Sequence, residues 1–197
     1  MGILQWIRGD GPAFPGTGER SELRSAAKSA SGAIALDRAP VDLAGLLCTA
    51  LRPLLSQAAA RGITLLISPA ADFPRTVRAD ALKLTWAASA LVGSALRFVR
   101  AGTRLTPGGT IRVRIGWRAA TREAVLEVAD DAGGLPPEAT THLLSRDTTP
   151  GVVPSLALLL VEDIVHAHGG MLEVMSVHGG PDSGTTVRLI VPCPDAT

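Results

Sequence analysis

The chain has 197 residues, room for one folded unit of ordinary size plus a short extension. A composition 46% hydrophobic but only 3% aromatic, with no Tyr, predicts a core of Leu, Val, Ile and Ala in which helices pack on strands. Nineteen Lys and Arg against eighteen Asp and Glu leave a net charge of +1, too weak a field to gather nucleic acid or an anionic membrane.

Residues 1–25 carry Gly9, Gly11, Pro12, Pro15, Gly16 and Gly18, which disfavour helix and strand alike, so a flexible leader is expected there. Ile3, Leu4, Trp6 and Ile7 within it form either a small docking patch or simply a disordered start. Residues 26–40 read as a linker holding the end of a helix that spans Glu22 to Ser31 and stops at Gly32. The folded domain is expected over 41–194. Asp42 is a candidate N-cap for a helix with Leu43, Leu46, Leu47, Ala50, Leu51 and Leu54 on one face, kinked at Pro53 and ended by Gly62. Ile63 to Ser68 reads as a buried strand, and a short strand lies near Val77. Asp80 caps a second helix that places Leu84, Ala88, Leu91, Ala95 and Phe98 along one stripe and ends near Val99.

Pro107-Gly108-Gly109 turns the chain into two strand patterns, Ile111 to Trp117 and Ala124 to Ala129, an antiparallel hairpin. Arg112, Arg114, Arg118 and Arg122 fall along this hairpin as a solvated face. A glycine loop from Asp130 to Pro137 follows, then a polar stretch without pattern over 138–152. Pro154 fits the first turn of an apolar helix that runs to about His168 and is capped by Gly169-Gly170. Met171 to Val177 and Thr185 to Val191 form a last hairpin. The order predicts an α+β fold, a two-layer sandwich with a mixed sheet and helices on one face. Cys48 and Cys193 have no ligand spacing for zinc. Neither a signal peptide nor an apolar run long enough to span a bilayer is visible, so the chain is expected in the cytoplasm.

Several stretches carry a family likeness: Ala39-Pro40-Val41-Asp42-Leu43, Val77-Arg78-Ala79-Asp80, Leu105-Thr106-Pro107-Gly108-Gly109-Thr110-Ile111, and above all Asp163-Ile164-Val165-His166-Ala167-His168-Gly169-Gly170 followed by Ser183-Gly184-Thr185-Thr186-Val187. In order and spacing the chain resembles the catalytic, ATP-binding domain of sensor histidine kinases, of the GHKL superfamily that includes Hsp90 and gyrase. The resemblance runs from about Ser29 to Pro192 and implies the Bergerat-type ATPase sandwich.

It also implies a nucleotide site, in which several of the family's motif residues are changed. The family's two Asn residues on the second long helix, the later one a Mg²⁺ ligand, fall here on Ala90 and Ser94. Ser94 is therefore the one metal candidate, a weak one, because Mg²⁺ demands hard oxygen donors in octahedral array. Arg97 stands where a basic residue meets phosphate in the family, or is a solvated helix charge. The first glycine box survives as Asp130-Asp131-Ala132-Gly133-Gly134. Asp130 stands in it as the adenine contact or as a turn-forming Asp, and Ala132 stands where a glycine belongs, its Cβ expected to crowd the loop. The second box, three glycines wrapping the phosphates in the family, reads Val153-Pro154-Ser155-Leu156-Ala157, where Pro154 lacks a donor and Val153 and Leu156 add apolar bulk. Thr185 supports the adenine-binding Asp. His168 is structural, while His142, His166 and His178 have no acid partner at a telling spacing.

No His precedes His142, so the phosphoacceptor helix of a sensor kinase is not expected in this chain. The leading expectation is a regulatory or protein-interaction module with weak or no ATP and Mg²⁺ binding, engaging a response regulator, a kinase or a second copy. The alternatives are an active ATPase or protein kinase acting in trans, and a phosphorelay protein like the histidine phosphotransferases built on a decayed ATPase domain.

Overall fold

The computed structural model describes residues 34–103, 105–137, 139 and 156–197. The leader, the helix expected at 22–31, the stretch 138–152 apart from residue 139 and including His142, and Val153 and Pro154 lie outside the described residues, as does the side chain of Leu156.

Strand β1 (Ala39–Val41) is followed by helix α1 (Leu43–Ala60), strands β2 (Thr64–Pro69) and β3 (Val77–Ala79), and helix α2 (Ala81–Phe98). Then come β4 (Thr110–Arg118), β5 (Glu123–Asp130), α3 (Leu156–Ala167), β6 (Met171–Val177) and β7 (Gly184–Pro192). Five strands form one mixed sheet in the order β2-β4-β5-β7-β6, with β2 and β4 parallel and the other pairs antiparallel. Strands β1 and β3 pair separately, Ala39 opposite Ala79, so the pairing reaches two residues before 41. The three helices pack with the sheet in the predicted two-layer α+β arrangement.

Local chemistry explains the helix ends. Asp42 caps α1 by accepting from the Gly45 amide at 2.9 Å, and Asp80 caps α2 by accepting from Lys83 N at 3.0 Å, each satisfying a donor that the first turn leaves open. The α1 assignment continues through Pro53. Its buried positions Leu43, Leu47, Leu51 and Ala58 keep helical spacing, but Leu46 is 40% exposed, so the stripe is narrower than the sequence suggests. By length and mean hydropathy α1 passes for a membrane span, yet Leu51 within it is fully buried in the domain core.

Two expectations need correction. The segment expected as a buried strand is instead the sheet's edge, β2, which pairs only with β4; Leu65 and Ile67 are half-buried while Leu66 and Ser68 are exposed. Phe98, expected on the core stripe of α2, is 70% exposed; α2 buries Leu84, Ala87, Ala88, Leu91, Val92, Ala95 and Leu96, and the stripe has turned away by the last residue.

The inner sheet face supplies Ile111, Val113, Ile115, Ala124, Leu126, Val128, Leu189 and Val191 to the core beneath the helices. The outer face carries a ladder of alternating charge in cross-strand register. Arg114 faces Glu127 at 3.8 Å, Glu127 faces Arg188 at 2.6 Å, and Arg188 faces Glu173 at 4.0 Å. Two of the arginines expected as a solvated face take acidic partners: Arg114, and Arg118, which reaches Glu123 at 3.6 Å. Pairs of this kind stabilise a sheet by roughly 0.2–1 kcal/mol each.

The two ends of the fold are tied at Asp80. Its backbone N–H donates to His168 Nε2 at 3.1 Å, and its carboxylate accepts from the Asp37 amide at 3.0 Å and from Lys83 Nζ at 2.6 Å. On the other ring edge His168 Nδ1 meets Ile164 O at 2.8 Å, and Arg38 Nη2 donates to Ala167 O at 3.1 Å. Burial pushes the Asp80 carboxyl up, but the Lys83 and Asp37 bonds outweigh it and hold the group at about 2.

Candidate functional site

Between α2, α3 and the β5 and β7 side of the sheet lies a cleft of about 370 Å³. Its walls are apolar, from Leu91, Val128, Leu158 and Val161 among others, and its polar groups are few. Ser94, Arg97, Asp130, Gly134 and Thr185, residues far apart in sequence, all line it. A pocket of this size with a handful of convergent polar groups has the form of a small-molecule site.

Asp130 ends β5 opposite Thr185 of β7. Its Oδ1 accepts from the amides of Ala132 at 3.0 Å and Thr185 at 3.3 Å, while Oδ2 takes no hydrogen bond among the described residues. Burial raises the carboxyl above its ordinary value, the two amide bonds pull it back, and the neighbouring Asp131 adds to the rise. Asp130 thus keeps one uncommitted acceptor at the border of the cleft. Asp131 works on the sheet instead, where its Oδ1 accepts from Thr110 N at 2.8 Å and fastens the end of β5 to the start of β4.

Gly134 sits at φ 69°, and a Cβ there would lie 1.9 Å from Val177 O. The glycine loop needs this close approach, because Gly179 N donates to Gly133 O at 3.1 Å and so docks the loop on the β6–β7 hairpin. Ala132 is half-buried against the core, and its amide donates to Asp130 Oδ1.

The opposite end of the cleft differs in character. Ala90 and Ser94 follow one another by one turn of α2, and Arg97 Nη2 donates to Ser94 Oγ at 3.4 Å. A methyl group thus stands at the earlier of the two positions, and at the later one the Ser94 hydroxyl accepts from a guanidinium. Mg²⁺ seeks several hard oxygens, and a cation already on Ser94 opposes a second one. The residues therefore fit the flat, donor-bearing end of a nucleotide and do not fit its metal. Ala157, the last residue of the expected phosphate box, lines the cleft from the first turn of α3, and Val153 to Ser155 are outside the described residues.

Ser176 belongs to the site although its sequence position reads only as strand interior. Its Oγ accepts from Leu135 N at 2.7 Å, donates to Gly184 O at 3.1 Å and lies 3.0 Å from Thr185 Oγ1. The one sequence signal for it is a hydroxyl two residues after the half-buried Val174, where alternation calls for an inward apolar side chain.

A five-stranded mixed sheet, helices on one face and a cleft bordered by a glycine loop define an ATPase sandwich of the GHKL type. The chain belongs to the histidine kinase-, DNA gyrase B- and HSP90-like ATPase family, whose model matches residues 79–195. Among solved structures it is similar to the mycobacterial sensor histidine kinase MprB, at 22% identity and TM-score 0.62 over 80% of this chain and 98% of that one. It is also similar to full-length ShkA in complex with AMPPNP, at 23% identity and TM-score 0.68 over 90% of this chain and 36% of that one. The Acinetobacter baumannii histidine kinase AdeS matches at 15% identity and TM-score 0.62, over 98% of this chain and 92% of that one. No curated protein matches the sequence.

Proposed function

We propose that this domain is a cytoplasmic signalling module in which magnesium-dependent phosphoryl transfer has been lost, and that it acts by engaging another signalling protein, a response regulator or a kinase, or a second copy of itself. It binds ATP weakly or not at all. The observation that carries the reading is the metal end of the cleft: Ala90 offers no donor, and Ser94 Oγ is taken by Arg97 at 3.4 Å. Phosphoryl transfer in such sites depends on a metal bridging the phosphates, and this cleft has no set of oxygens among the described residues to hold one. Val153, Pro154 and Leu156 in the sequence of the second glycine box support the same reading. The domain keeps the sheet and cleft of its family, so a regulatory role through shape and contact is what those retained parts can serve.

A second reading rests on Asp130 and Thr185, which keep the polar end of the cleft and suit an active kinase working in trans. The test is transfer of labelled γ-phosphate from ATP with Mg²⁺ to receiver and kinase partners. No transfer above a protein-free control is expected, and Asp130→Asn should behave as wild type in this assay. Labelling of a partner that disappears in Asp130→Asn would establish the second reading in place of the first.

A further inference from the structure

We infer that the outer face of the sheet is a docking groove for a segment of a partner protein that carries one carboxylate between apolar side chains, and that Arg112 is the residue that meets the carboxylate. This rests on the proposed engagement of another signalling protein and names the surface for it. A groove of about 610 Å³ lies on that face, between the β2 edge and the β6–β7 hairpin, and is larger than the cleft on the other side of the sheet. Strand register gives it a floor. Leu66 pairs with Arg112, Arg112 with Ala129, Ala129 with Thr186 and Thr186 with Met175, so one row of residues crosses all five strands. The next row on the same face, two residues along each strand, is Ser68, Arg114, Glu127, Arg188 and Glu173, which holds the charge ladder.

The two rows differ in the partner each arginine meets. In the ladder Arg114 and Arg188 face glutamates, whereas Arg112 has Ala129 opposite it and takes no acidic partner among the described residues. A half-buried guanidinium is thus left on the groove floor. Such a group binds a carboxylate through two parallel N–H donors, and surroundings that exclude water strengthen the bond. The walls here are apolar: Leu66 on β2 is 48% exposed and Val177 at the end of β6 is 56% exposed, with Met175, a side chain that adapts to its contacts, lining the groove as well. Glu127, Asp131 and Asp182 also border the groove and repel a second acid, so a segment with a single carboxylate is the one that fits. Five strands about 4.8 Å apart span roughly 19 Å, the length of about six extended residues.

The experiment titrates the full chain against a fluorescein-labelled hexapeptide, Val-Leu-Asp-Leu-Val-Ser, and against the same peptide with Asn in place of Asp, read by fluorescence anisotropy. Wild type is expected to prefer the Asp peptide by roughly three- to tenfold, the scale of one charge-assisted bond at a half-exposed site. Arg112→Gln should bring the ratio close to unity. Ala129→Glu gives Arg112 the cross-strand partner that Glu127 gives Arg114, so it should also remove the preference while its melting temperature stays at or above that of wild type. Arg52→Gln, at an exposed position of α1, should keep the preference. A wild type that binds the Asp peptide no better than the Asn peptide overturns the inference, as does a ratio unchanged in Arg112→Gln. Either result leaves the proposed loss of phosphoryl transfer standing, because that is read by label transfer. Labelled phosphate on a partner would instead remove that reading and leave the groove's preference intact.

Discussion

Replacing Gly134 by Ala is expected to destabilise the domain by about 3–5 kcal/mol, as read from urea unfolding, because two costs combine there. A side chain in the left-handed region costs roughly 1–3 kcal/mol, and forcing bulk into a packed contact costs about as much again. At Gly134 both apply, since φ is 69° and the new Cβ would meet the Val177 carbonyl at 1.9 Å, a backbone atom that a side-chain rotation cannot remove. Relief requires the glycine loop to lift off the β6–β7 hairpin, breaking the Gly179 to Gly133 and Leu135 to Ser176 bonds. Gly133 is the internal control: nothing lies within 4 Å of its missing Cβ, so Gly133→Ala should leave the unfolding midpoint nearly unchanged.

The second large effect is expected at His168, which is 2% exposed and serves the fold rather than chemistry. With Nδ1 donating to Ile164 O and Nε2 accepting from Asp80 N, the ring must be neutral. His168→Leu leaves the Asp80 amide buried without its acceptor and is expected to lose about 2–4 kcal/mol, from the stranded donor and the altered packing together.

The same bond predicts a pH dependence with a definite sign. Burial lowers the His168 pKa in the folded state below its ordinary 6.5, the Ile164 bond opposes this, Arg38 and Lys83 add to the lowering, and Asp80 counters it. The unfolded chain takes up the proton first, so the full stability is present above pH 6.5 and declines as pH falls below it. Asp80 adds a separate loss at lower pH, between its ordinary 3.8 and the folded value of about 2. Unfolding free energy measured from pH 8 to pH 5 should fall in wild type and be flatter in His168→Leu.

Much of the architecture is legible in the sequence because its signals are local. Asp42 and Asp80 cap helices through amides three residues on, and the alternation of Ile111, Val113 and Ile115 marks one buried strand face. What stays hidden depends on partners brought together from afar. An apolar run looks the same at the centre of a sheet and at its edge, so the exposure of Leu66 in β2 is invisible without the strand order. Arg114 and Arg118 read as solvated until Glu127 and Glu123 arrive opposite them in register. The Asp80 to His168 bond spans 88 residues, and no periodicity reports it.

For the site, family likeness nominates Ser94, Arg97, Asp130, Gly134 and Thr185, and these meet in one cleft. It does not disclose why Gly134 must be glycine, nor Ser176, whose hydroxyl bonds the glycine loop at Leu135 and the start of β7 at Gly184 and Thr185. The altered metal positions Ala90 and Ser94 are legible in the sequence, but the contact of Arg97 with Ser94 is seen only in the folded chain.

The most direct test of the altered metal positions is calorimetric titration of the domain with ATP and with adenosine, each with and without Mg²⁺. Ser94 alone supplies neither the ligand number nor the charge that the metal needs, so Mg²⁺ should leave both isotherms unchanged and ATP should bind no more tightly than adenosine. A micromolar ATP complex that forms only with Mg²⁺ present would contradict the account at its centre.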